Sequence, residues 1–171
     1  DESLIERPYG AMLTRTEPMP EFVQAGARFG IASLEMDSDG VLRTLPSYPD
    51  GFMTRLLEAA GATQRQEVGA DRKIQYFGIP GSYPTISYYQ ALDPDEYLPP
   101  DYLKGRVVIV GLALQTNADV SRGAVDAFET SYSFQSKLLS PGVEVQATIY
   151  DNLRTGAAVD VAPNWLGPVL I

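Results

Sequence analysis

The run Arg106-Val107-Val108-Ile109-Val110-Gly111 restricts the fold more than any other stretch of the chain. Four branched apolar residues in succession leave no polar face. That is the pattern of a strand covered on both sides, as at the centre of an α/β sheet. Burying each such side chain is worth roughly 1.5–3 kcal/mol, so the run is expected to anchor the core. Gly111 at its end permits a sharp turn and a close backbone approach. Ligands of open α/β sheets sit outside the carboxyl ends of strands. Attention therefore falls on Leu112-Ala113-Leu114-Gln115-Thr116-Asn117.

Around this run, strand and helix patterns alternate. Tyr9–Leu13 reads as a short strand, and Glu21–Phe29 as a helix stopped by Gly30. Ile31–Met36 and Val41–Leu45 alternate around Asp37-Ser38-Asp39-Gly40, which predicts a β-hairpin. Residues 52–60 place Phe52, Leu56, Ala59 and Ala60 on one helical face, closed by Gly61. Lys73–Gly78 alternates like a strand. Thr85–Leu92 reads as a short helix capped by Thr85 or Ser87. Ser140-Pro141-Gly142-Val143-Glu144 carries the marks of a helix start. Val145, Ile149 and Leu153 then recur at spacing four, and Gly156 is the stop. The expected fold is α/β: a mixed β-sheet with helices packed on both faces, plus an early β-hairpin.

Several functions are excluded by what is missing. The chain has 22 acidic and 13 basic residues, a formal net charge of −9, and no Cys or His. Nucleic-acid binding needs a basic face, and no basic cluster exists. Without Cys there are no disulfides, thiolate nucleophiles or Cys-ligated zinc. Without His there is no Ser-His-Asp triad, HExxH site or ordinary proton shuttle near neutral pH. Asp37-Ser38-Asp39-Gly40 invites a calcium reading, but an EF-hand register would put Pro46 where a bidentate Glu is required. Neither a cofactor nor a catalytic residue is expected. Apolar runs stay short of the roughly 18–20 residues of a membrane span. Residues 163–171, with Trp165 followed by rising hydrophobicity, read either as the start of a transmembrane or juxtamembrane segment or as an apolar tail docking on the core.

Five blocks resemble, in order, the second half of the CHASE2 family of bacterial sensor domains. They are Asp37–Arg43, Ile74–Gly78, Pro84–Tyr89 through Leu92, Leu103–Gly111, and Pro141–Ala147 to Asn152-Leu153. The resemblance implies an extracytoplasmic, periplasmic sensor domain over residues 1–162 that itself has no catalytic residues. Such domains precede transmembrane helices leading to a histidine kinase, nucleotide cyclase or Ser/Thr kinase output. Two departures stand out. Gln146 occupies a place where family members often carry His. The family's opening strand-and-helix unit is not recognised, so the expectation is either a C-terminal portion of the domain or a domain whose first half is divergent or lost. A half-domain would expose sheet edge and apolar surface, which favours a homodimer or assembly with a missing segment.

The function read from these observations is recognition of an unidentified small-molecule ligand, passed to flanking membrane helices that lie outside this chain. The candidate pocket joins Thr116 and Asn117, after the central strand, to Tyr76, Ser82 and Tyr83, after its neighbour. These residues offer hydroxyl and amide groups with aromatic walls. Core packing with a satisfied hydroxyl is the alternative for each tyrosine taken singly. Two other functions stay open. One is a metal-dependent enzyme using Asp37, Asp39, Asp119 and Asp126; the other is a dimerisation module without a ligand.

Overall fold

A computed structural model describes residues 17–69, 71–113 and 126–162, together with the backbone of Leu4–Glu6 and Met12–Thr14. The elements in chain order are β1 (Leu4–Glu6), β2 (Met12–Thr14), α1 (Pro20–Gln24), α2 (Phe52–Ala59), β3 (Arg72–Lys73), α3 (Tyr88–Leu92), α4 (Pro94–Tyr97), β4 (Ala127–Phe128), α5 (Ser133–Ser136), β5 (Ser140–Pro141), α6 (Gly142–Thr155) and β6 (Val159–Asp160). Helices and small antiparallel sheets make a mixed α/β fold. Among the described residues the sheets are three two-stranded pairs, β1–β2, β3–β6 and β4–β5. No helix among the described residues is long and apolar enough to cross a membrane.

The core forms where α6 packs on α2. Val145, Ile149 and Leu153 of α6 meet Met53 and Leu57 of α2, with Leu42, Leu45, Ile74 and Tyr76 completing the buried cluster. The spacing-four stripe of α6 is thus the buried one, and Gly156 ends the helix at φ 77° in the left-handed region that glycine tolerates. On α2 the most deeply buried face is Met53, Thr54 and Leu57. It is rotated one residue from the expected Phe52–Leu56 stripe, which instead packs at the margin of the core.

The Arg106–Gly111 run departs from expectation. Residues 106–113 carry no turn or bend and belong to no helix or sheet. Val107, Val108, Val110 and Leu112 are 39, 47, 70 and 53% exposed, and only Ile109 packs against the core. No backbone hydrogen bond joins Val107–Ala113 to another described residue. Among the described residues the expected central strand has no strand neighbour, and the sheet pairing there is that of small antiparallel pairs within the mixed α/β fold. The physical reason is that an apolar run specifies a wish for burial, whereas a strand also needs a second strand to accept its backbone.

Other differences are local. The first helix ends at Gln24, with Gly26 at φ 89° just beyond it, rather than running to Gly30. Gly30 instead allows close chain passage: a Cβ there would lie 2.8 Å from Phe52 Cα and 2.9 Å from the Asp50 carbonyl oxygen. Ile31 N–H donates to Asp50 and Phe52 N–H to Ile31 at this crossing, 3.0 and 2.8 Å. Because the clash is with backbone, Gly30→Ala is expected to destabilise the fold by about 1–3 kcal/mol, read from the midpoint of urea unfolding.

The Asp37–Val41 turn closes as a hairpin turn should, with Gly40 N–H donating to Asp37 and Asp37 N–H to Val41, both 2.9 Å. Its arms then take other partners: Val41 bridges Glu129 and Thr44 bridges Lys73. The Asp37 carboxylate accepts from Thr44 Oγ1 at 2.6 Å and Lys73 Nζ at 3.2 Å, and Arg43 lies 2.9 Å from Asp39. Burial alone would raise the Asp37 pKa, but the hydrogen bonds from Thr44 and Lys73, with the charge of Lys73, hold it below the ordinary carboxylate value. The oxygens that a calcium ion would need are thus engaged by cations of the chain itself.

Candidate functional site: two clefts along α6

One face of α6 straps the Gln75–Tyr83 segment. Asn152 is fully buried. Its Oδ1 accepts from Gln75 N–H at 2.8 Å, and its Nδ2 donates to the carbonyls of Gln75 and Thr148 at 2.9 and 2.8 Å. A side-chain amide thus satisfies the backbone that a neighbouring strand would have satisfied. One turn and two turns nearer the helix start, Thr148 and Glu144 lie on the same side. The Glu144 carboxylate accepts from Gly81 N–H at 2.9 Å and Ser82 N–H at 3.0 Å. Tyr83 O–H donates to Asp151 Oδ2 at 3.1 Å. The expected Lys73–Gly78 strand is therefore a two-residue strand, β3, continued by a strapped segment.

This strap brings together three of the expected site residues, Tyr76, Ser82 and Tyr83. With Ser140, Glu144 and Thr148 among the other walls, they enclose a cavity of about 10 Å³, room for about one water molecule. Tyr76 O–H donates to the Leu42 carbonyl at 2.9 Å inside the core. Burial raises its pKa well above the ordinary phenol value. Burial also pushes Tyr83 up to about 12, reinforced by the charges of Asp151 and Glu144 and partly offset by Thr148. A folded-state pKa above the unfolded value near 10 gives stability that is complete below pH 10 and lost as pH rises toward 12. In a phenolate absorbance titration, Tyr83→Phe is expected to remove one equivalent near pH 12. Thr116, Asn117 and Asp119 lie outside the described residues, as do residues 163–171.

A larger cleft, about 370 Å³, opens at the start of α6 and against the end of the Arg106–Gly111 run. Its apolar walls include Leu34, Phe52, Ile109, Val110, Phe128 and Val143, and its polar ones Ser33, Asp126 and Gln146. Gly111 packs so tightly on Val143 that a Cβ would lie 2.7 Å from the valine Cβ. The glycine thus makes the close approach expected of it, to a helix rather than through a sharp turn. Pairing of β4 with β5 sets Ala127 opposite Pro141, and this places Asp126 over the first residue of α6. Gly142 N–H donates to the Asp126 carbonyl at 2.9 Å. Any side chain at Gly142 would collide with the Asp126 carboxylate. Asp126 has φ 74°, a conformation that Asp adopts more readily than most residues. Its carboxylate at the helix N-terminus complements the helix dipole.

Among the described residues Asp126 is the one charged side chain lining this cleft. Gln146 Nε2 donates to the Ala32 carbonyl at 2.9 Å. Gln146 is therefore part of the cleft wall. Asp126 and Gln146 were each conspicuous in the sequence, but nothing there joined them. The signal that does is the β4–β5 pair leading into α6. Among the described residues no group of three or more acidic side chains is arranged to hold a metal ion.

No curated protein and no solved structure matches the chain. The family model of the CHASE2 domain matches residues 3–171. CHASE2 domains are extracellular sensor domains of signalling receptors and are not themselves catalytic. The match covers nearly the whole chain, and the chain belongs to the CHASE2 domain family.

Proposed function

We propose that the chain senses a small amphipathic molecule in the 370 Å³ cleft and passes the occupied state along α6. The observation that carries this reading is the cleft itself: its volume falls in the range of ligand pockets, about 300–1,000 Å³. Its walls also combine apolar side chains with few polar groups. The Asp126 carboxylate favours a ligand with an ammonium or other hydrogen-bond-donating group, and the branched and aromatic walls favour an apolar body. The smaller cavity beside Tyr76, Ser82 and Tyr83 is a second polar region on the same helix; Thr116 and Asn117 stay candidate contacts on the ground of sequence alone.

Both regions touch α6, which leads through β6 to residues 163–171. The hydrophobicity of that segment supports a continuation into a membrane helix and an output such as a histidine kinase, nucleotide cyclase or Ser/Thr kinase. A ligand shifts such a receptor only by its difference in affinity for the two states. Contact with the first turn of α6 is where this difference would arise.

The test is a thermal-shift screen with matched small molecules: hexylamine, hexanol and hexanoate, and their benzyl counterparts. A bound amine at 100 times its Kd adds about 2.7 kcal/mol, which raises Tm by roughly 5–10 °C for a domain of this size. The increase is expected for amines, to shrink in Asp126→Asn, and to vanish in Val143→Trp, which fills the cleft. Stabilisation that survives Val143→Trp, or none from any member of the set, would overturn the reading.

A further inference from the structure

The first two turns of α6 face two ways. Val143 and Gln146 line the larger cleft, whereas Glu144, Val145 and Thr148 line the smaller cavity. Successive helical residues are rotated by about 100°, so one stretch of helix forms a wall of both. Val145 is fully buried in the core, and Gly111 packs on Val143 with no room for a Cβ between them. Close-packed groups transmit displacement. A shift of the cleft wall at Gly111 or Val143 is therefore passed to the turn that carries Glu144.

The Glu144 carboxylate grips a preformed turn. Both of its oxygens accept from Gly81 N–H at 2.9 Å, and Oε1 also accepts from Ser82 N–H at 3.0 Å. Pro80 and Gly81 form the middle of that turn, Gly81 has φ 89°, and Ser82 N–H donates to the Ile79 carbonyl at 3.2 Å. This is the pattern of a type II turn, which holds its shape through its own residues. The turn can thus dock on α6 or leave it as a unit. Tyr83 and Gln75 are tied further along the helix, to Asp151 and Asn152, so the segment stays attached while its turn opens.

We propose that Glu144 is a positioning residue that couples the larger cleft to the Ile79–Ser82 turn. The docked turn holds the first turn of α6 in the shape that binds the ligand, and bound ligand keeps the turn docked. This deepens the reading of the cleft as a ligand site and rests on it. A wall held in its binding shape in advance costs less to order, which sets the sign. Linkage is reciprocal, so ligand tightens docking by the same factor by which docking tightens ligand.

Two measurements test this with hexylamine as the probe: affinity by calorimetry, and residue-resolved hydrogen exchange by NMR. Glu144→Ala releases the turn, and Gly81→Pro removes the N–H and cannot take a positive φ. Each is expected to weaken hexylamine binding about fivefold, with an unchanged circular dichroism spectrum. Glu144→Gln removes the charge but keeps an oxygen for both amides, and is expected to stay within about twofold of the wild type. Saturating hexylamine is expected to slow exchange at the Gly81 and Ser82 amides of the wild type by the same factor of about five, and to leave those amides unmoved in Glu144→Ala. Equal losses of affinity in Glu144→Ala and Glu144→Gln, an unchanged affinity in Gly81→Pro, or wild-type Gly81 and Ser82 amides that bound hexylamine leaves unmoved would each overturn the coupling while the ligand site stands. No binding of hexylamine to the wild-type chain would overturn the ligand site and the coupling together.

Discussion

Leu153→Ala is expected to lower the free energy of unfolding by about 3–5 kcal/mol, the largest single-residue loss in this fold. Leu153 is 1% exposed and belongs to the cluster that joins α6 to α2 and to Leu42, Leu45 and Ile74. Its side chain is held from several elements, so the cavity left behind has little means of collapsing. Its carbonyl also accepts from Arg65 N–H at 2.8 Å and Gln66 N–H at 3.1 Å, which fixes the connection after α2 and opposes relaxation. Small domains are stable by only about 5–15 kcal/mol, so a substantial share of the total is at stake. Urea unfolding monitored by circular dichroism measures the loss directly. A change under 1 kcal/mol would mean that α6 and α2 do not share a core.

Asn152→Leu is expected to cost about 2–3 kcal/mol although it makes the helix face more apolar. The substitution keeps similar bulk but leaves the Gln75 N–H and C=O without the side-chain amide that serves both. Gln75 is half-buried, so water relieves part of the penalty and keeps the loss below that of a fully enclosed pair. The same change should accelerate hydrogen exchange at the Gln75 amide by about 30-fold or more, since 1.4 kcal/mol is a factor of ten in local opening. Loss of global stability without faster exchange at Gln75 would show that Asn152 acts through packing alone.

The sequence disclosed features whose cause is local. The α6 stripe is visible because Val145, Ile149 and Leu153 repeat at a helical spacing, and the stop because Gly156 can take a left-handed φ. The Asp37–Val41 turn is legible from its Asp and Gly, and the start of α3 from Ser87, whose N–H donates to Gln90 Oε1 at 2.9 Å. Features set by distant partners were hidden. Glu144 holds Gly81 and Ser82 across more than sixty residues, and no spacing rule reports that. Val107–Val110 shows why hydrophobicity alone misleads: its side chains call for cover, but the described residues offer it no strand. Tyr76, Ser82 and Tyr83 line one small cavity. The larger cleft needed the β4–β5 pair to carry Asp126 to the head of α6, where Val143 and Gln146 already lie.

Recognition of a small molecule against the first turn of α6 is open to hydrogen–deuterium exchange of the chain, with and without hexylamine at saturating concentration. Bound amine is expected to slow exchange in residues 106–113 and 142–146, the two backbone walls of the cleft, with less change in residues 78–83. Protection confined to residues 78–83, or none in either wall, would rule such recognition out.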